Sequence, residues 1–88
     1  MAKVYNMTSS NGNKIANQFE IENDDGSITF QSYNSVIAKK HKGKITLDST
    51  YWDYSRTTGK YRNMFLNETV NETRQKIASG EYTLANLN

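Results

Sequence analysis

Tyr51-Trp52-Asp53-Tyr54-Ser55-Arg56-Thr57-Thr58-Gly59-Lys60-Tyr61-Arg62-Asn63-Met64-Phe65-Leu66 is the stretch on which the fold turns. Within it the apolar period changes from two residues to about 3.6, the switch from strand to helix. Tyr61 and Phe65 stand four residues apart, which aligns them on one helical face. Ser55 or Thr57 offers an N-cap hydroxyl. Gly59 inside the segment weakens the helix by about 1 kcal/mol relative to Ala. The same stretch holds the chain's only Trp, three of its six tyrosines, and Arg56, Lys60 and Arg62.

Upstream, the chain reads as strands. Ala2 to Thr8 is expected as a first strand, followed by a turn at Ser9-Ser10-Asn11-Gly12-Asn13, where Asn-Gly supplies positive φ. From Ile15 to Glu22 the residues alternate, which puts Ile15, Phe19 and Ile21 on the inner face and Gln18, Glu20 and Glu22 on the outer. Asn23 to Ser27 is a hairpin turn, and Ile28 to Tyr33 returns with Ile28 and Phe30 inward. Ser35 to Lys39 is expected as a further strand, Lys40 to Gly43 as a turn, and Lys44 to Asp48 as a strand with Ile45 and Leu47 inward. The result is an antiparallel meander with one bare face that needs a cover.

Downstream, the cover is helical. Val70, Thr73 and Ile77 form an apolar stripe, Asn67 or Thr69 caps it, and Glu72 completes a capping box with Thr69. Gly80 ends this helix in the left-handed conformation. Glu81 to Leu84 alternates again, as a last strand or an extended tail. The expected core joins Trp52, Tyr61 and Phe65 to Phe19, Ile21, Phe30 and Ile45.

The 88 residues make one small α+β domain, 1–88: an antiparallel sheet of four to five strands with a C-terminal helical pair on one face. Hydrophobic residues are only 35%, so ten aromatics must supply much of the buried area. The absence of cysteine excludes disulfides and thiolate metal sites. No apolar run approaches the roughly 20 residues of a membrane span, and residues 1–14 do not read as a signal peptide. Membrane partners are not expected; a cytoplasmic location is. The net charge of +2 is too small to name a partner, but it is unevenly spread. Residues 15–38 carry four carboxylates and no cation, whereas 39–62 carry seven cations against two carboxylates.

Four groups of residues then carry a resemblance: Ala16-Asn17-Gln18-Phe19; Phe30-Gln31-Ser32-Tyr33; Trp52-Asp53-Tyr54-Ser55 with Thr57-Thr58-Gly59-Lys60-Tyr61 and Phe65-Leu66; and Ser79-Gly80-Glu81-Tyr82 through Leu87-Asn88. Together they resemble a family of small uncharacterised domains found in bacteriophages, plasmids and conjugative elements. The resemblance spans residues 9–88, roughly, and is most specific from Trp52 to Leu66. It implies a mobile-element setting, expression in the cytoplasm of a bacterial host and no enzymology. It supplies no functional residues, because no activity attaches to that family.

Site chemistry is sparse. His41, the only histidine, reads as a solvated residue of a Lys-rich turn with no second metal ligand beside it. Asp24-Asp25-Gly26 lacks the remaining oxygen ligands of a calcium loop and reads as a hairpin turn. Asp48 and Asp53 could pair as catalytic carboxylates, but Asp53 between two rings reads as a structural hydrogen-bond partner at a helix entrance. Thr57-Thr58-Gly59-Lys60 shares only Gly-Lys with a phosphate loop, and Tyr61 stands where Ser or Thr is required. No catalytic, cofactor or metal residue is assigned, and no enzyme is expected.

Recognition is left as the function class. Lys39, Lys40, Lys42 and Lys44 form a basic hairpin edge, which also guards a sheet against aggregation. Arg56, Lys60 and Arg62 sit among rings of which Tyr51 and Tyr54 are expected to stay partly exposed. The candidate macromolecule-binding residues are therefore Lys39, Lys40, Lys42, Lys44, Tyr54, Arg56, Lys60 and Arg62. The expected function is a non-enzymatic accessory protein of a phage or mobile element that binds a host protein or protein–nucleic-acid complex, in host takeover or defence inhibition. The alternative is a nucleic-acid-binding module built on 39–62. Whether the two basic clusters share one face is a question of packing.

Overall fold

A computed structural model describes residues 2–88. Eight elements follow in order: β1 (Lys3–Thr8), β2 (Lys14–Glu22), β3 (Ile28–Ser32), β4 (Ser35–His41), β5 (Lys44–Asp48), α1 (Arg56–Leu66), α2 (Val70–Ala78) and β6 (Thr83–Ala85). The sheet runs β1-β2-β3-β4-β5-β6, with the first five strands antiparallel. β6 lies parallel to β5, so the two helices are the crossover between parallel neighbours. The α+β class and the helices following the strands match the sequence reading. The strand count of six, and a mixed sheet, replace the expected four or five antiparallel strands. β6, of only three residues, takes the strand alternative read for Glu81 to Leu84, displaced to Thr83–Ala85, and it is a strand because β5 offers an edge.

β4 also extends further than expected. It continues through Lys40 and His41, and the hairpin closes on Lys42 and Gly43 alone, with φ of 52° and 77°. Two consecutive positive φ values match the twist of the flanking strands in a two-residue turn. His41 is thus a half-buried strand residue rather than a solvated loop residue.

Strand pairing reveals the main departure in the core. Phe30 pairs with Ala38 and Ala38 with Leu47, and all three are fully buried under the helices. Opposite Phe30 on β2 stands Glu20, and opposite Ser32 stands Gln18. Directly opposed residues share a face, so Phe19 and Ile21 lie on the other side of the sheet and outside the core cluster. The cause is Asn17, whose φ of +65° interrupts the strand. Ile15 still packs against the core, but beyond Asn17 the inner face passes to the even-numbered positions. A one-residue slip moves every later side chain to the opposite face, and Asn tolerates the left-handed conformation better than most residues. A second bulge, between Phe30 and Gln31 against β4, places Ile37 and Ala38 both in the interior.

α1 lies on this inner face. Ser55 caps it, accepting from the Thr58 N–H at 3.1 Å. Thr58 and Ser32 share a buried hydroxyl hydrogen bond of 2.9 Å, and Phe65 stacks on Phe30 with centroids 5.6 Å apart. Asn67, expected as a cap for the second helix, instead ends α1 in the left-handed conformation. Thr69 and Glu72 form the expected capping box on α2, and Gly80, with φ of 83°, follows its last turn. Of the rings assigned to the core, Phe65 is buried, whereas Trp52 and Tyr61 are half-buried.

Among the described residues, no helix is long and apolar enough to cross a membrane.

Candidate functional site

The segment between β5 and α1 is anchored by Asp48. Its buried carboxylate accepts N–H groups from Thr50 at 3.0 Å, Tyr51 at 2.8 Å and Leu87 at 2.8 Å. Burial pushes its pKa up, but the N–H groups of Leu87 and Tyr51 and the Asn88 amide outweigh this and hold it below the usual carboxylate range. Asp48 therefore organises a turn.

Asp53 is the hub of the next layer. Its Oδ1 accepts from Arg62 Nη1 at 2.9 Å and its Oδ2 from Arg74 Nη2 at 3.2 Å. Arg62 also donates to the Trp52 carbonyl at 2.7 Å and to Asn63 Oδ1 at 3.1 Å, and its guanidinium lies 5.2 Å from the Trp52 ring centroid. A planar fork over an aromatic face is an arrangement Lys could not reproduce.

Around this hub lies an open groove of about 800 Å³, bounded by Asp53, Tyr54 and Ser55, by Arg56, Gly59, Lys60, Arg62 and Asn63 of α1, and by Val70 of α2. Arg56 and Lys60 are exposed, as is Tyr54, whose ring meets Tyr51 edge-on at 5.4 Å. Gly59 also borders this groove. It is buried against Arg62, and a Cβ there would sit 3.5 Å from Nη2.

Four of the residues singled out from the sequence, Tyr54, Arg56, Lys60 and Arg62, therefore line one groove. Arg62 is not available to a partner, because it is 1% exposed and bonded to the protein itself. Lys40 is likewise corrected: its ammonium donates to the Phe65 carbonyl and lies 4.2 Å from the Phe65 ring centroid. Lys39 is on the opposite face of the sheet from Lys40, paired with Thr29 and Thr46. Lys42 and Lys44 remain exposed at the hairpin, beside a smaller cavity of about 250 Å³.

The two basic clusters do not join. Thr58 of α1 meets Ser32 at one end of β3, whereas Phe65 meets Lys40, which pairs with Ile28 at the other end. Arg56 and Lys60 thus lie at the start of α1 and the hairpin lysines beyond its far end.

Asp25 belongs to a turn, as its sequence suggests. It accepts from the Ser27 hydroxyl at 2.6 Å and the Ser27 N–H at 2.9 Å, and these bonds lower its pKa.

One polar cluster escaped sequence reading altogether. Glu68 accepts from Thr73 at 2.5 Å, Tyr82 at 2.6 Å and Lys76 at 2.8 Å, joining the connection between the helices and α2 to the chain entering β6. Burial raises its pKa, but the bonds from Lys76, Thr73 and Tyr82 prevail and lower it. Tyr82 is pushed up to about 12, by burial first and then by its bond to Glu68. Its partners lie five to fourteen positions along the chain, beyond any local pattern.

The groove and its supports lie within residues 2–81, which match the family of unknown function DUF8033. The chain belongs to that family. No curated protein and no solved structure matches it. The DUF8033 match takes in β1 through α2 and ends before β6, so the Asp53–Arg62–Arg74 hub is inside it and the Leu87 contact to Asp48 is outside.

Proposed function

We propose that this DUF8033 protein is a non-enzymatic binding module that engages a macromolecule through the groove at the start of α1. The observation that carries this reading is the grouping of exposed Tyr54, Arg56 and Lys60 around one open concavity. Exposed rings and arginines are the residue types enriched where proteins meet partners. Their support is held in place, since Arg62 beneath them is buried and hydrogen-bonded, which limits the ordering cost of binding. The biological setting proposed is that of a phage or mobile-element accessory protein acting in the host cytoplasm on a host macromolecule, in host takeover or defence inhibition. The resemblance of Trp52 to Leu66 to domains of such elements supports it.

The test is capture from bacterial lysate, with and without nuclease, using three forms of the chain. Wild type and Lys42→Glu/Lys44→Glu are expected to retain the same partner, and Arg56→Glu/Lys60→Glu to lose it. All four substitutions are read against unchanged melting curves, because exposed charges contribute little to stability. Capture that ignores the reversal at Arg56 and Lys60 rejects the groove as the binding face.

A further inference from the structure

Resting on the reading that the groove is the binding face, we infer that its occupant is a single-stranded nucleic acid, held by its phosphates and by a stacked base. Arg56 and Lys60 stand one helical turn apart on α1, both exposed. Cβ atoms so related are about 5–6 Å apart, so one strand can meet both cations. The first turn of α1 contains no acid, and the positive end of the helix adds to their field.

The carboxylate in the groove does not oppose an anion. Asp53 gives one oxygen to Arg62 and the other to Arg74, so its charge is already answered by two guanidinium groups. Arg62 also lines the groove but is 1% exposed and held by Asp53, the Trp52 carbonyl and Asn63, so it shapes the wall and does not reach the ligand.

Tyr54 distinguishes a nucleic acid from a merely acidic partner. The residue is 46% exposed, and its ring is set edge-on by Tyr51, with planes at 83°. A pre-oriented ring beside cations is the combination that holds single strands without base-specific readout. An acidic peptide would use the cations and leave the ring idle. A duplex hides the base faces that the ring would stack on.

The experiment uses the full chain and labelled mixed-sequence oligonucleotides, read by fluorescence anisotropy over a salt series. Single-stranded DNA or RNA, tested in separate arms, is expected to bind with an affinity that falls steeply as salt rises. Tyr54→Ala should weaken binding about tenfold, the size of one stacked base, and Tyr54→Phe should restore it. Arg56→Glu/Lys60→Glu should abolish it, with melting curves unchanged for all variants. Polyglutamate or duplex DNA binding as well as the single strand, with Tyr54→Ala silent, would overturn the inference. In that case a lysate partner still lost on reversing Arg56 and Lys60 would leave the groove standing as a protein-binding face. Loss of neither would reject the groove itself.

Discussion

Arg62 and Asp53 form an ion pair of 2.9 Å in which one partner is 1% exposed and the other 33% exposed. The pair is therefore asymmetric. Asp53 keeps water and Arg74 as alternatives, whereas Arg62 has only its protein partners. Arg62 thus belongs to the framework of the groove, and reversing its charge tests folding rather than binding.

Asp53→Ala strands the guanidinium in the interior. Breaking a buried pair by removing one partner costs about 3–5 kcal/mol, and the exposure of Asp53 places the expected loss near about 3 kcal/mol, the lower end. Urea unfolding checks it. An unchanged midpoint would show that Arg62 is not held by this carboxylate.

The two faces of β2 and β3 should respond differently to truncation. Phe65→Ala removes a buried ring stacked on Phe30 and is expected to cost ~3–5 kcal/mol. Phe19→Ala, on the far side of the sheet and only half-buried, should cost about 1 kcal/mol, half of what full burial provides. Equal losses at the two positions would contradict the shift of face at Asn17.

Gly59→Ala is expected to stabilise the protein. Its Cβ would meet Arg62 Nη2 at 3.5 Å, an ordinary contact, and Gly59 does not have a positive φ. Removing a helical glycine then yields about 1 kcal/mol. Thermal melting reads the sign, and a lower midpoint would mean that the approach to Arg62 is tighter than this distance implies.

Stability should fall at both ends of the pH range. Glu68 and Asp48 have pKa values lowered by folding from 4.5 and 3.8. Their contributions are complete above those values and are lost as pH drops through the lower folded ones. Tyr82 is raised from 10.0 to about 12, so its contribution is complete below 10.0 and is lost as pH rises toward 12. Lys76, raised from 10.5, acts in the same direction. Urea midpoints measured across pH should show both limbs, and Glu68→Gln should flatten the acid one. An acid limb unchanged in Glu68→Gln would mean that its carboxylate is not held by Thr73, Lys76 and Tyr82.

The helix caps show what was legible. Ser55 on Thr58, and Thr69 with Glu72, are interactions over three residues, so spacing brought both among the candidate caps, beside Thr57 and Asn67. The Tyr54, Arg56 and Lys60 side of the groove was also legible, since all three lie within one short stretch. Arg62 was misread because its burial depends on Trp52, Asp53 and Asn63 converging on it. Lys40 was misread for the same reason: the carbonyl that holds it comes from a helix 25 residues away.

By itself the sequence determined the α+β class, the strands before the helices, the turn at Asn23–Ser27, a turn within residues 40–43, and a pair of candidate caps for each helix. All of these depend on residue type and on neighbours within about one turn or one hairpin. Only the tertiary structure decided which face of β2 is inner, that β6 joins β5, that Arg62 is sealed beneath the groove, and that the two basic clusters stand apart. The face of β2 turns on one backbone angle, the φ of +65° at Asn17. That conformation costs little for Asn and leaves no mark in the apolar pattern. It is selected because the resulting register lets Phe30, Ala38 and Leu47 close against Phe65.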